Sequence, residues 1–387
     1  MTPAARIAAA IDLLDRVFAG ELADPALAGW GRQNRYAGSK DRAAIGDLVY
    51  AGLRKRNSLA ALGGGVDGRA VMIGALRAAG DDPDTMFGAG PYAPDALSAA
   101  EQSAGRMPDD LEATDIPAWL WPEFATSLDP VGRDVARVMR DRAPVHLRVN
   151  LSHCTRTAAI AQLAAHDITA HAHPLSPAAL EVTEGARKIR NAPAYLEGAV
   201  ELQDASSQAI TDMVPLQTGQ SMLDYCAGGG GKTLGVAGRV AADFYAHDID
   251  PRRMKDIAAR AARASVTVKT LTTDQVGPHG PYDCVLVDAP CSGSGSWRRD
   301  PQGKWLLTEQ TLADTVALQS AILDQACTFV SRGGFLVYAT CSVLTRENSA
   351  QIQGFMSRNT AFSLVEQKQF TPLDGGDGFF GAVLQQN

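Results

Sequence analysis

Along the first ~140 residues the apolar positions recur at helical spacing, Ile7, Ile11, Leu14 and Phe18 in one run and Ile45, Val49 and Leu53 in another. No stretch there alternates with the period of two that a half-buried strand requires, so the region predicts helices. Two breaks interrupt it: LGGGVDGR, around Gly63 to Gly65, and the proline-rich DDPDTMFGAGPYAPDA near residues 81–96. Past Pro144 the pattern changes. VHLRVNL reads as a strand, TRTAAIAQLAAHD as a helix opening near Thr155 or Thr157, and ALEVTEG as another strand, which together predict a small α+β unit. From about residue 215 strands and helices alternate. The strand candidates are SMLDYC, ADFYAHDID, SVTVKTL, YDCVLVDAP and GGFLVYATC, with helical stretches such as PRRMKDIAARAARA and EQTLADTVALQSAILDQACTFV between them. That alternation predicts a parallel sheet covered on both faces, a doubly wound α/β domain whose ligands sit at the carboxyl ends of strands. Cys226, Asp248, Asp274, Asp288 and Cys341 all fall at predicted strand ends.

Composition narrows the classes. At 387 residues with 45% hydrophobic content the chain can bury the cores of two or three domains. No run approaches the ~18 apolar residues of a membrane span, and Arg6, Asp12, Asp15 and Arg16 interrupt the N-terminal apolar residues, so no membrane segment is expected and the reading is cytoplasmic. The six cysteines form no CxxC pair and lack the density of a secreted disulfide scaffold, which predicts reduced thiols. A net charge of -7 excludes a bulk basic surface, so any nucleic-acid contact has to be a local patch.

The turn LDYCAGGGGKT runs from a strand into a helix. A P-loop needs glycine six positions before its lysine, where Lys232 has Cys226; GxGxxG fails too, because Thr233 stands where the third glycine should be. What survives is a tight glycine turn that lets a ligand approach the backbone. Asp248, about twenty residues on, can accept hydrogen bonds from ribose hydroxyls, while Asp250 before Pro251 reads as a helix cap. A nucleoside cofactor with no phosphates to cradle points to S-adenosylmethionine. Cys291 follows one strand and Cys341 ends another; if these strands are neighbours, both thiols face the same crevice. Cys154, Cys284 and Cys327 read as packing residues. No ligand pair has metal spacing and no histidine cluster accompanies the thiols, so no metal is expected.

Several segments then carry a resemblance: LQDASSQ, DYCAGGGGKT, DID, DAPCSGSG with RRDPQGKW, ATCSVLTRENSAQI and the closing DGFF, in that order. They resemble the RsmB (Sun/Fmu) family of RNA cytosine-C5 methyltransferases, and LLDRVFAG through DRAAIGDLVYAGLR is similar to the NusB-like helical domain of those proteins. One departure stands out: the family's usual CAAPGGKT is CAGGGGKT here, so Gly228 and Gly229 replace an Ala-Pro pair and loosen the turn.

The resemblance implies a three-part chain: a NusB-like RNA-binding helical domain over 1–143, a small α+β RNA-recognition-like module over 144–212 and a Rossmann-like class I methyltransferase domain over 213–387. It makes Cys341 the nucleophile and gives Cys291 the release of product, a choice that residue chemistry alone leaves open, since both thiols are similarly placed. Cys226, Ala227, Gly228, Gly229, Gly230, Gly231 and Lys232 would line the cofactor, Asp248 would hold its ribose, Asp274 would lie near the adenine, and Asp288 near the methyl donor and target base. A base attacked at carbon 6 has to be unstacked, so the substrate is single-stranded or flipped RNA. Arg298, Arg299 and Lys304 are the preferred RNA contacts; Arg54, Lys55 and Arg56, and Arg133, Arg137 and Arg140, read equally well as solvated helix faces. The expected activity is methylation of small-subunit ribosomal RNA by a monomer, with a tRNA methyltransferase or a non-catalytic assembly factor as the alternatives.

Overall fold

The computed structural model describes Met1–Asn387 and divides into two compact units, Met1–Arg142 with Trp297–Leu306, and Ala143–Ser296 with Leu307–Asn387. The first is helical. Its main helices are Pro3–Phe18, Ala23–Gln33, Ser39–Arg54, Arg56–Gly63 and Gly68–Ala79. Thr2 caps the first by accepting the amide of Ala5, with Pro3 opening the helix. The LGGGVDGR break stops one helix at a left-handed Gly64 and starts the next at Asp67, whose side chain accepts the amide of Ala70. Leu13, Leu14, Ile45, Val49, Leu53, Val71 and Ile73 meet in its core, each worth about 1.5–3 kcal/mol once buried.

Trp297–Leu306, which the sequence reading placed in the catalytic domain, belongs to this helical unit. Trp297 stacks on Phe124 at 6.4 Å, and the Trp305 indole donates to the Leu53 carbonyl at 2.7 Å. Gln302 accepts the Ala23 amide and donates to the Glu21 carbonyl, both at 2.8 Å.

The second unit holds two sheets. Strands β1 (Val145–Val149), β2 (Thr169–Ala172), β3 (Ala179–Glu184) and β4 (Val200–Leu202) form an antiparallel sheet in the order β2-β3-β1-β4. Leu147 and Val149 face the helix Arg156–Ala164, where Ala159 and Leu163 are buried. The larger sheet contains β5 (Ser221–Asp224), β6 (Asp243–His247), β7 (Val268–Leu271), β8 (Tyr282–Asp288), β9 (Val330–Thr340), β10 (Phe362–Phe370) and β11 (Phe379–Gln386). Its order is β10-β11-β9-β8-β5-β6-β7. The five strands expected from the sequence pair in parallel, but β11 runs antiparallel between β9 and β10, so the sheet is mixed rather than wholly parallel.

Central β8 is covered on both faces. Val285 and Val287 pack with Leu323, Ile352 and Phe355, and Cys284 and Leu286 with Ile210, Val236 and Phe244. The chain steps from β5 outward to β7, then returns to β8 on the other side of β5. The carboxyl ends of β5 and β8 therefore flank the reversal of strand order, where such sheets open a crevice.

Candidate active site

At that reversal lies a cavity of about 520 Å³, within the range of small-molecule sites. Its lining includes Gln203, Cys226, the glycine turn, Lys232, Asp288, Cys291 and Cys341. The turn folds back sharply because Gly228 (φ +50°) and Gly230 (φ +74°) take left-handed backbone, and a Cβ on Gly230 would stand 3.0 Å from Ile257. Its backbone is braced from several sides. Asp248, 3% exposed, accepts the Gly228 amide at 3.0 Å and pairs with Arg253 at 3.1 Å. Arg148 donates to the Gly231 carbonyl at 2.8 Å and to Gln203, while Arg260 donates to the Gly229 carbonyl.

Behind the turn, Thr233 donates to Asp224 at 2.6 Å; burial pushes that carboxyl up to about 7, and its other oxygen has no hydrogen-bond partner. Lys232 is buried and reaches Asp288 at 2.6 Å, with the Phe379 ring 5.1 Å from its ammonium. Cys226 lines the cavity as a neutral thiol, pushed up by burial and by the carboxylates of Asp224, Asp288 and Asp248. Asp274 is exposed, sits in the first turn of the helix Thr273–His279 and accepts the Thr272 hydroxyl at 2.6 Å; it is not among the cavity's lining side chains.

Beyond β8 and β9 the two loops converge until Cys291 and Cys341 stand 3.3 Å apart, sulfur to sulfur. The hydrogen bond from Cys291 lowers Cys341 below the ordinary thiol range; Lys232 and the Ser296 hydroxyl at 3.9 Å reinforce this against burial and the charge of Asp288. The same bond, with burial and the charge of Glu347, raises Cys291. The two thiols are thus driven apart, Cys341 becoming the more acidic and Cys291 the one that holds its proton longer.

The expected RNA contacts need correction. Lys304 is 2% exposed, donates to the Arg54 carbonyl at 3.1 Å and is lowered by burial to about 7, so its amine is turned inward and cannot reach a phosphate. Arg298 is 4% exposed, with its own carbonyl accepting from Arg54 at 2.8 Å. Arg299 alone of the three is exposed. Several site residues went unread in the sequence: Arg148, Gln203, Arg253 and Arg260 around the turn, and Glu347 behind the thiols. Their signal was weak, because Arg148, Gln203, Arg260 and Glu347 meet partners across tens of residues of chain, and Arg253, five residues from Asp248, lies in a stretch that reads as a helix. The histidines behaved similarly. Strand pairing sets His146 opposite Glu181 and brings both beside His173, with potential ligand atoms within 4.8 Å of one another. There His146 contacts Asp204 at 3.1 Å, and a Cβ on Gly375 would stand 2.7 Å from His173, so the pair lies between the LQDASSQ segment and the glycine turn that precedes DGFF.

A mixed seven-stranded sheet of this order, with a glycine turn at its reversal and a thiol pair on the next strand ends, defines a Rossmann-like methyltransferase fold. Residues 212–384 match the family model described as 16S rRNA methyltransferase RsmB/F, and residues 116–188 match the RsmF/B-like ferredoxin-like domain. The chain belongs to the RsmB/F methyltransferase family. A ribosomal RNA small subunit methyltransferase B from Salmonella arizonae is 34% identical over 282 residues, spanning 69% of this chain and 66% of that relative, slightly under two thirds of its length. Among solved structures, PH0851 superposes with a TM-score of 0.80 over 100% of this chain and 99% of its own, at 22% identity. A methyltransferase homolog from Pyrococcus horikoshii gives 0.60 over 70% of this chain and 96% of its own, also at 22% identity.

Proposed function

We propose that the protein methylates carbon 5 of a cytosine in small-subunit ribosomal RNA, with S-adenosylmethionine as donor and a covalent cysteine–cytosine intermediate. The observation that carries this reading is the thiol pair, 3.3 Å apart beside the glycine turn. Carbon 5 of cytosine is too weak a nucleophile to take a methyl group unaided. Addition of the Cys341 thiolate to carbon 6 forms a carbon–sulfur bond and moves its electron density to carbon 5. Once carbon 5 carries the methyl group, loss of its proton re-forms the double bond and expels the Cys341 sulfur. The Cys291 thiol, 3.3 Å away, then donates to that sulfur and stabilises it as the leaving thiolate.

The cavity suits the cofactor. A nucleoside-sized ligand fits about 520 Å³, and the glycines leave backbone that it can approach. Cys226 through Lys232 would hold it, with Asp248 and Asp288 at its edges; when bound it supplies an electrophilic methyl group. The name of the Salmonella relative supports the ribosomal substrate, and the helical unit, read as NusB-like, would contribute to RNA binding with Arg299 as one contact. The enzyme would act as a cytoplasmic monomer.

The test combines calorimetric titration with S-adenosylmethionine and radiolabelled methyl transfer into small-subunit RNA from cells lacking the protein. Cys341→Ser is expected to abolish transfer, and Cys291→Ala to trap a protein–RNA adduct that survives denaturing electrophoresis. An adduct with Cys341→Ser instead would exchange the two roles, and a folded protein that binds no S-adenosylmethionine would sink the reading.

A further inference from the structure

The segment ATCSVLTRENSAQI contains a carboxylate for which the chemistry above has no use. Glu347 is fully buried, and its two oxygens are filled by donors. The Ser292 amide donates to Oε1 at 2.8 Å and the Gln319 amide at 3.0 Å; the Ser292 and Ser342 hydroxyls donate to Oε2. Ser292 follows Cys291 and Ser342 follows Cys341, so one carboxylate is bonded to the residue next to each thiol. The hydroxyls cannot turn away. Ser342 accepts the Leu344 amide at 3.0 Å, and Ser294, 2.9 Å from Ser342, accepts the Val343 amide at 3.0 Å. The Tyr338 hydroxyl donates to the Glu347 carbonyl at 2.8 Å, and Gln319 also holds the Pro290 carbonyl at 2.9 Å. A buried carboxylate with this many donors is expensive to disturb, because each lost partner leaves a desolvated polar group behind.

Its charge is placed unevenly. The charged groups that bear on the pair are Lys232 and Asp288, bonded to each other and acting on Cys341, and Glu347, acting on Cys291. The negative charge beside Cys291 stands uncompensated and opposes a thiolate there, whereas the carboxylate of Asp288 that opposes one at Cys341 is paired with the ammonium of Lys232, which favours it.

We propose that Glu347 is the positioning residue of the thiol pair: it ties the two cysteine loops together and keeps the proton on Cys291, so that Cys341 is the thiolate. Glu347 touches neither sulfur through a bond, so it acts through Ser292, Ser342 and its field. The proposal rests on the methyltransferase reading for its purpose but not for its test.

In the full-length protein, the rates at which iodoacetamide alkylates Cys341 and Cys291 are followed against pH by peptide mass spectrometry. In the native protein Cys341 should react at the lower pH and Cys291 only at the higher. Glu347→Gln keeps the shape and removes the charge; the ratio of the two rates at neutral pH should fall by about tenfold or more, a scale set by a unit charge close by in a poorly solvated site. Glu347→Asp keeps the charge but shortens the reach, and should preserve the order of reaction while widening the spread of rates. A folded Glu347→Gln protein with both pH profiles unchanged would overturn the proposal. If Glu347→Gln fails to fold, Glu347→Asp decides: a preserved order supports it, and Cys291 reacting first overturns it. The readout uses no RNA and no cofactor, so loss of this asymmetry and loss of the methyltransferase reading are separate results.

Discussion

Two glycines of the motif SGSG, two residues apart, should respond very differently to alanine. Gly295 lies against the backbone of Gly378 in the DGFF turn: a Cβ there would stand 2.0 Å from the Gly378 carbonyl oxygen and 2.5 Å from its carbon. Non-bonded carbons settle near 3.5–4.0 Å, so the two backbones have to part by about an ångström or more. Parting them breaks the bond from the Gly378 amide to the Gly295 carbonyl, 2.9 Å, and strains the bond from the Gly295 amide to the Cys341 carbonyl, also 2.9 Å. Two such bonds are worth about 1 kcal/mol each, and buried groups left unpaired add about 1–3 kcal/mol, so Gly295→Ala should cost roughly 3–5 kcal/mol. For a body of this size that corresponds to a fall in Tm of about 6–20 °C. Because the strained bond ends on Cys341, an ångström of movement there should also cut methyl transfer by about a hundredfold. Gly293 is the control. It sits at φ +68° and its Cβ would meet only the Ser296 hydroxyl at 3.5 Å, so Gly293→Ala pays the left-handed strain alone, about 1–2 kcal/mol. The assays are thermal melting and methyl transfer on the two variants side by side. Equal losses, or a Gly295→Ala protein that melts and turns over like the native one, would refute the close-approach argument.

Lys232→Met leaves Asp288 without its cation; breaking a fully buried pair costs about 3–5 kcal/mol, and with Asp288 one-third exposed the expected loss is nearer 1–3 kcal/mol. It should also slow alkylation of Cys341 at neutral pH, which mass spectrometry checks. Lys304 gives a pH dependence: burial lowers its folded pKa to about 7 against about 10.4 in the unfolded chain, so between those values the unfolded state binds more protons and stability rises with pH. That contribution is complete above pH ~10.4 and lost as the pH falls through 7. Subtracting the melting curves of Lys304→Met from those of the native protein between pH 6.5 and 9.5, a range set by these pKa values, should isolate it; a flat difference contradicts it. Gly229, whose Cβ would meet only the flexible end of Arg260 at 2.9 Å, should accept proline and tighten S-adenosylmethionine binding about two- to fivefold by stiffening the turn, measured by calorimetry. Gly228→Ala, at φ +50°, should weaken it.

What the chain reveals before folding follows from how each feature is encoded. The inner strands β5, β6, β8 and β9 are short apolar runs between helices, and such runs are legible because both faces are buried. The edge strand FSLVEQKQF is mostly exposed and TAHA is four residues long, so neither leaves an apolar trace; with β10 unread, the antiparallel insertion of β11 was invisible too. The same distinction separates the site residues. Cys291, Cys341, Lys232 and Asp288 were readable because chemistry and motif coincide within a few residues. Glu347, Arg148 and Gln203 act across the fold, and their role exists only once β1, β5, β8 and β9 are assembled. Lys304 shows the opposite failure. A charged residue next to a reactive cysteine is taken as exposed by default, yet its long stem lets it lie inside the helical unit with a backbone carbonyl as its acceptor. Charge in a sequence therefore locates a phosphate contact only where the neighbouring residues leave the side chain outside, and here the two tryptophans that bracket the segment, Trp297 and Trp305, are what draw it in.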